Sequence, residues 1–128
     1  MYESKRAFKL WDYNVSHKQL LLRSPHTSTE IDNVDIVFWG VEYISIPTAL
    51  DTILLRKVSV KELGEHLNLQ NRDLASPAFI FGNSNCVDFV LAAGCKVLVN
   101  QLEIFDSSLV YADRDRPQEE YGKVVVKL

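Results

Sequence analysis

Little in this chain invites covalent or metal-linked architecture. Its 128 residues include only two cysteines, Cys86 and Cys95, three histidines and one methionine. Two cysteines in a domain of this size do not make a disulfide scaffold, and their spacing lacks the close C-x-x-C pattern of a zinc site. Both are expected as reduced thiols, Cys86 packing as a small apolar residue and Cys95 occupying a turn. His17, His26 and His66 are far apart, and no two fall at a spacing that places ligands on one face. No metal and no other cofactor is expected.

The chain also has no Pro/Gly-rich linker, no repeat and no low-complexity tract, its four prolines and five glycines being scattered. A single β-rich domain over residues 1–128 is the expectation. No apolar run is long enough to cross a bilayer, and the opening MYESKRAFKLWDYNVS has no secretory apolar core. A cytoplasmic protein with no membrane partner is therefore expected. A net charge of -3 with 24% charged residues rules out neither folding nor solubility, but offers no excess for a polyanion. Lys5, Arg6 and Lys9 are the nearest approach to a basic cluster, and nucleic acid is not an expected partner.

Catalytic templates are missing too. No Ser or Cys stands in a glycine-framed elbow, and Gly82-Asn83-Ser84-Asn85 lacks the lysine and repeated glycines of a phosphate loop. Carboxylates gather at Glu30, Asp32 and Asp35 and again at Asp113, Asp115, Glu119 and Glu120. The first group reads as a rim. The second, interleaved with Arg114 and Arg116, reads as a solvated mixed-charge loop over Asp113–Gly122.

What is present is β signal. Ala7–Tyr13 and Lys18–Arg23 read as a first hairpin, followed by a polar loop from Ser24 to Asn33. In the run VDIVFWGVEYISI, Asp35, Val37, Trp39, Val41 and Tyr43 share one parity, Val34, Ile36 and Phe38 the other, and Gly40 is placed to bend the strand. Both faces are largely apolar, as in a strand covered on both sides or lining a contact. Further strands are expected at Thr52–Val58, Ala78–Phe81, Val87–Ala93, Lys96–Phe105, Leu109–Ala112 and Lys123–Leu128. Ala92-Ala93-Gly94-Cys95 reads as a hairpin turn. Ser59-Val60-Lys61-Glu62 is a capping box that opens one short helix over Val60–Leu67, and Asn68–Pro77 reads as a surface connection.

Roughly seven to nine strands with one short helix predict a mainly β fold, with α+β as the alternative class. The architecture is an antiparallel sandwich or a partly open barrel. Trp11 and Tyr13 share a parity of the first strand, and Trp39 and Tyr43 of the third. If those faces coincide, four rings build one surface of the kind that dominates protein interfaces. The functional expectation is a non-enzymatic binding or assembly module, a homodimer or a domain docked on a protein such as a bacterial toxin or an enzyme it regulates. The alternative is a small-ligand or hydrolytic pocket in a barrel mouth, where Asp12 orients His17 as a base beside the same aromatics. A further possibility is an oligomer formed by edge pairing of Lys123–Leu128.

Overall fold

The computed structural model describes residues 1–67, 76–82, 88–109 and 116–128. Nine strands form one antiparallel sheet: β1 (Tyr2–Asn14), β2 (Gln19–Ser24), β3 (Asn33–Trp39), β4 (Tyr43–Ser45), β5 (Ala49–Val58), β6 (Ala78–Phe81), β7 (Asp88–Leu91), β8 (Gly94–Asn100) and β9 (Lys123–Lys127). Their spatial order is β4-β7-β6-β5-β1-β2-β3-β8-β9. One helix, α1 (Val60–Leu67), follows β5, and a 3-10 turn over Gln118–Tyr121 precedes β9.

The sheet is rolled into a partly open barrel, and the reason lies at Gly40. β3 and β4 are separated only by residues 40–42, yet β4 stands at one end of the strand order and β3 near the other. Gly40 has φ +62°, and a Cβ there would lie 2.7 Å from the Ala93 Cβ, so the bend needs a residue without a side chain. The Glu42 N–H donates to the Leu91 carbonyl at 2.8 Å and the Ala93 N–H to the Trp39 carbonyl at 2.9 Å. These bonds knit the two ends together without closing the ring.

One expectation fails here. Ala92-Ala93-Gly94 is not a hairpin turn: β7 pairs with β6 and β4, β8 pairs with β3 and β9, and the chain runs on from one to the other. Gly94 is required for space rather than for a reversal, because Trp39 lies opposite it and a Cβ at Gly94 would overlap the indole. The strand expected to run to Phe105 ends at Asn100, and the one expected over Leu109–Ala112 falls mostly outside the described residues, with Leu109 buried.

The interior of the curl is apolar and draws on every strand. Phe8, Leu20, Leu22, Val34, Ile36, Phe38, Ile53, Leu55, Phe79, Phe81, Val90 and Val97 are buried together, with Ile44 and Val126 packed against them. Val41 joins this cluster, so the bend at Gly40 turns it inward, away from Trp39 and Tyr43 whose parity it shares in the sequence. Cys95 is also interior, so it is a packed thiol and not a turn residue; burial pushes its pKa well above the ordinary range. Cys86 lies outside the described residues.

Two layers cover the outside of the roll. α1 caps as the sequence predicts, with the Glu62 N–H donating to the Ser59 hydroxyl at 3.1 Å, and it lowers Leu63 onto Val58, Ala78, Ile80, Phe89 and Leu91. On the other side Leu21, Val37, Leu98 and Leu109 pack with Trp11. No helix of the described residues is long and apolar enough to cross a membrane.

Candidate functional site

The second outer layer holds the most deliberate chemistry in the molecule. Arg23 on β2 stands directly opposite Asp35 on β3, and Asn33 on β3 directly opposite Asn100 on β8. Facing partners in a ladder point to the same side, so four polar groups converge on the outer face. Arg23 and Asp35 both have 0% exposed side chains. Asp35 is therefore not the rim carboxylate that its grouping with Glu30 and Asp32 suggests.

Every strong donor in this cluster is satisfied. The Arg23 Nε donates to Asp35 Oδ1 at 2.7 Å and Nη2 to Oδ2 at 2.8 Å, a bidentate pair. The Asn100 Nδ2 donates to Asp35 Oδ2 at 2.8 Å, and the Asn33 Nδ2 to Asn100 Oδ1 at 3.0 Å. The Trp11 ring closes the site from above, with the guanidinium carbon 5.6 Å from its centroid.

The remaining donors grip backbone. Arg23 Nη1 donates to the carbonyls of Ile104 (3.2 Å) and Asp106 (2.6 Å), and Asn33 Nδ2 to that of Leu102 (2.8 Å). Carbonyls of alternate residues 102, 104 and 106 thus point inward along the whole segment. From the other side Arg116 Nη1 donates to the Ser107 carbonyl at 2.7 Å, its guanidinium 3.7 Å from Asp106 and 3.8 Å from Glu120. Asn33 and two arginines hold the stretch from 102 to 107 against the sheet. The mixed-charge loop expected to protrude over Asp113–Gly122 is anchored at its end, where Tyr121 is buried beside Arg116; Asp113 and Asp115 lie outside the described residues.

The pinned segment carries Phe105, which is 92% exposed. Phe105, Trp11, Asp12 and Ser107 line a cleft of about 470 Å³. This cleft joins one residue of the expected aromatic surface, Trp11, to one of the expected pocket, Asp12. His17 does not line this cleft; it is exposed in the β1–β2 turn, where its backbone N–H donates to Asn14 Oδ1 at 2.7 Å.

The four rings expected on one surface do not share it. A bulge between Leu10 and Asp12 shifts the β1 register, so Tyr13 stands opposite Leu20, an interior residue, while Trp11 packs on the outside. Trp11 and Tyr13 consequently lie on opposite faces. Trp39 is half-buried against Gly94, and Tyr43 stacks on Phe89 with centroids 5.5 Å apart, over the layer that α1 covers. Of the four, Trp11 alone lines the cleft.

Sequence reasoning missed Arg23, Asn33, Asn100 and Phe105. A signal for the first existed: Leu20-Leu21-Leu22-Arg23 and Val34-Asp35-Ile36-Val37 each place one charge inside an apolar run, with opposite signs across a hairpin. Nothing comparable marks Phe105. A second cleft of about 600 Å³ is lined by Asp32, Glu103, Asp106, Glu119, Glu120 and Lys123, among others. Among the described residues no group of three or more His, Cys, Asp or Glu is arranged to hold a metal ion. Comparison with protein-family models, with curated proteins and with solved structures gives no match to this chain.

Proposed function

We propose that this chain is a non-enzymatic binding module that associates with a second copy of itself through the Trp11 and Phe105 face. The observation that carries the reading is Phe105, a fully presented aromatic ring on a segment that buried side chains hold rigid. A buried ion pair contributes little net stability compared with apolar residues of the same volume. What it adds here is position. Presenting a large apolar ring to water is unfavourable unless a partner covers it, and an ordered ring loses little entropy on binding.

The occupant follows from the arrangement of knob and hole. Phe105 stands beside a cleft floored by Trp11 and flanked by Asp12 and Ser107, all on one face. A two-fold operation places each protomer's Phe105 against the other's cleft, the self-complementary contact of an isologous dimer. Sedimentation equilibrium over a dilution series tests it. The wild type should self-associate and Phe105→Ser should be monomeric with unchanged circular dichroism; a monomeric wild type at high micromolar concentration overturns the reading. The pocket alternative rests on Asp12 lining the same cleft, and a thermal-shift response to small metabolites retained by monomeric Phe105→Ser would favour it.

A further inference from the structure

A third cleft opens where the first two strands part. Among the described residues β1 pairs with β2 only from Lys9 onward, and its first half pairs with β5 alone. The gap left beside residues 24–30 is a cleft of about 430 Å³, lined by Lys5, Arg6 and Lys9 from the strand and by Ser24, Thr27 and Glu30 across it, among others. A chain of net charge -3 thus gathers three cations around one cleft, with a single carboxylate among them. We propose that this cleft binds the phosphate group of a small organic phosphate ester.

Arg6 is the fixed element. Its side chain is 19% exposed, with Nε donating to Ser24 Oγ at 2.9 Å and Nη2 to the carbonyls of Ser24, Pro25 and Asp32 at 3.1, 3.2 and 2.9 Å. Among the described residues Nη1 makes no hydrogen bond, and the Glu30 carboxylate that it faces stays 3.7 Å away and 56% exposed. One edge of the guanidinium is therefore held in place and open to a closer acceptor. Lys5 and Lys9 are exposed, and among the described residues neither has an ion-pair partner.

Charge and size select the ligand. Three cations against one carboxylate leave two positive charges uncompensated, which matches a phosphate monoester near its dianionic form better than a single carboxylate. Tetrahedral oxygens can accept from a guanidinium edge and two ammonium groups together. The volume is that of a small-molecule site, and Ala7, Pro25 and the lysine stems offer apolar surface to the body of an ester. Glu30 competes for the same guanidinium edge, so its removal favours the ligand.

The probes are phenyl phosphate, inorganic phosphate and benzoate at constant ionic strength, followed by amide chemical shifts of the full chain. Phenyl phosphate should shift the amides of Lys5 to Lys9 and Thr27 to Glu30, and bind more tightly than either other anion. Lys5→Gln combined with Lys9→Gln should weaken it by about tenfold, and Glu30→Gln should tighten it. Lys96→Gln combined with Lys127→Gln should change nothing, and neither should Phe105→Ser, which separates this cleft from the self-association surface. No saturable shift at these amides, benzoate binding as tightly, or an equal loss from the Lys96 and Lys127 pair would overturn the proposal. Inorganic phosphate binding as tightly as its phenyl ester would overturn the ester in favour of the free anion, and a response to a phosphorylated peptide alone would name a macromolecule instead.

Discussion

The interior of the roll and the layer outside β2, β3 and β8 are equally dry and are built on opposite principles. Inside, Phe38 packs edge-on against Phe79 with centroids 5.6 Å apart and lies 6.2 Å from Phe81, and the contacts are apolar. Outside, Arg23 and Asp35 are just as buried, but each is fixed by directional bonds. Apolar packing is proportional to area and tolerates repacking, whereas a bidentate pair tolerates one geometry. The interior thus supplies stability. The outer network decides where residues 102–107 lie, and with them Phe105.

The largest effects come from removing one member of each system. Phe38→Ala should cost about 3–5 kcal/mol by leaving a cavity. Asp35→Ala should cost a similar 3–5 kcal/mol, by stranding the Arg23 charge in a dry site. Urea denaturation measures both, and the comparison is sharpened by rescue. Replacing both partners, Arg23→Met with Asp35→Leu, should recover much of the loss and still abolish self-association, because nothing then holds the carbonyls of Ile104 and Asp106. A double variant as unstable as Asp35→Ala, or one that still dimerises, would break the distinction between a stabilising interior and a positioning exterior.

How much of this was legible in the sequence follows the same division. The β-rich class, the first hairpin, the Ser59 cap and the span of α1 were readable because period, turn residues and caps are local signals. The hairpin expected at Ala92–Gly94 was not, because glycine there answers to the Trp39 indole on another strand. The common face of Trp11 and Tyr13 failed at a bulge, which shifts parity by one residue and leaves no mark in composition. Phe105 was invisible as a site residue since its position depends on Arg23 and Asn33, distant in the chain, gripping its neighbours, with Arg116 adding a nearer contact.

Gly94 offers a smaller test on the outer face. Any side chain there must displace the Trp39 indole, and forced repacking of this kind costs about 1–3 kcal/mol. Gly94→Ala should therefore lower the urea midpoint by less than Phe38→Ala does and shift Trp39 fluorescence, while Trp39→Ala combined with Gly94→Ala should remove most of the clash. Self-association should survive in both variants, because Trp39 does not line the Phe105 cleft. Loss of the dimer would extend the contact surface to Trp39 and redraw the boundary between the two regions.

The smallest effect is a reactivity rather than a stability. Cys95 lies in the interior cluster with its thiol held protonated by burial, and only the thiolate attacks a disulfide reagent. In a Cys86→Ser background the native protein should thus be inert to the reagent, and reaction should follow the population of opened molecules. Phe38→Ala, which weakens the packing around Cys95 itself, should react fastest. Under conditions where its global stability is matched to that of Phe38→Ala, Asp35→Ala should react more slowly, since releasing residues 102–107 uncovers the outer face and leaves the interior closed. Equal rates would mean that the two layers open as one cooperative unit, and the outer network would then be as much a part of the core as Phe38.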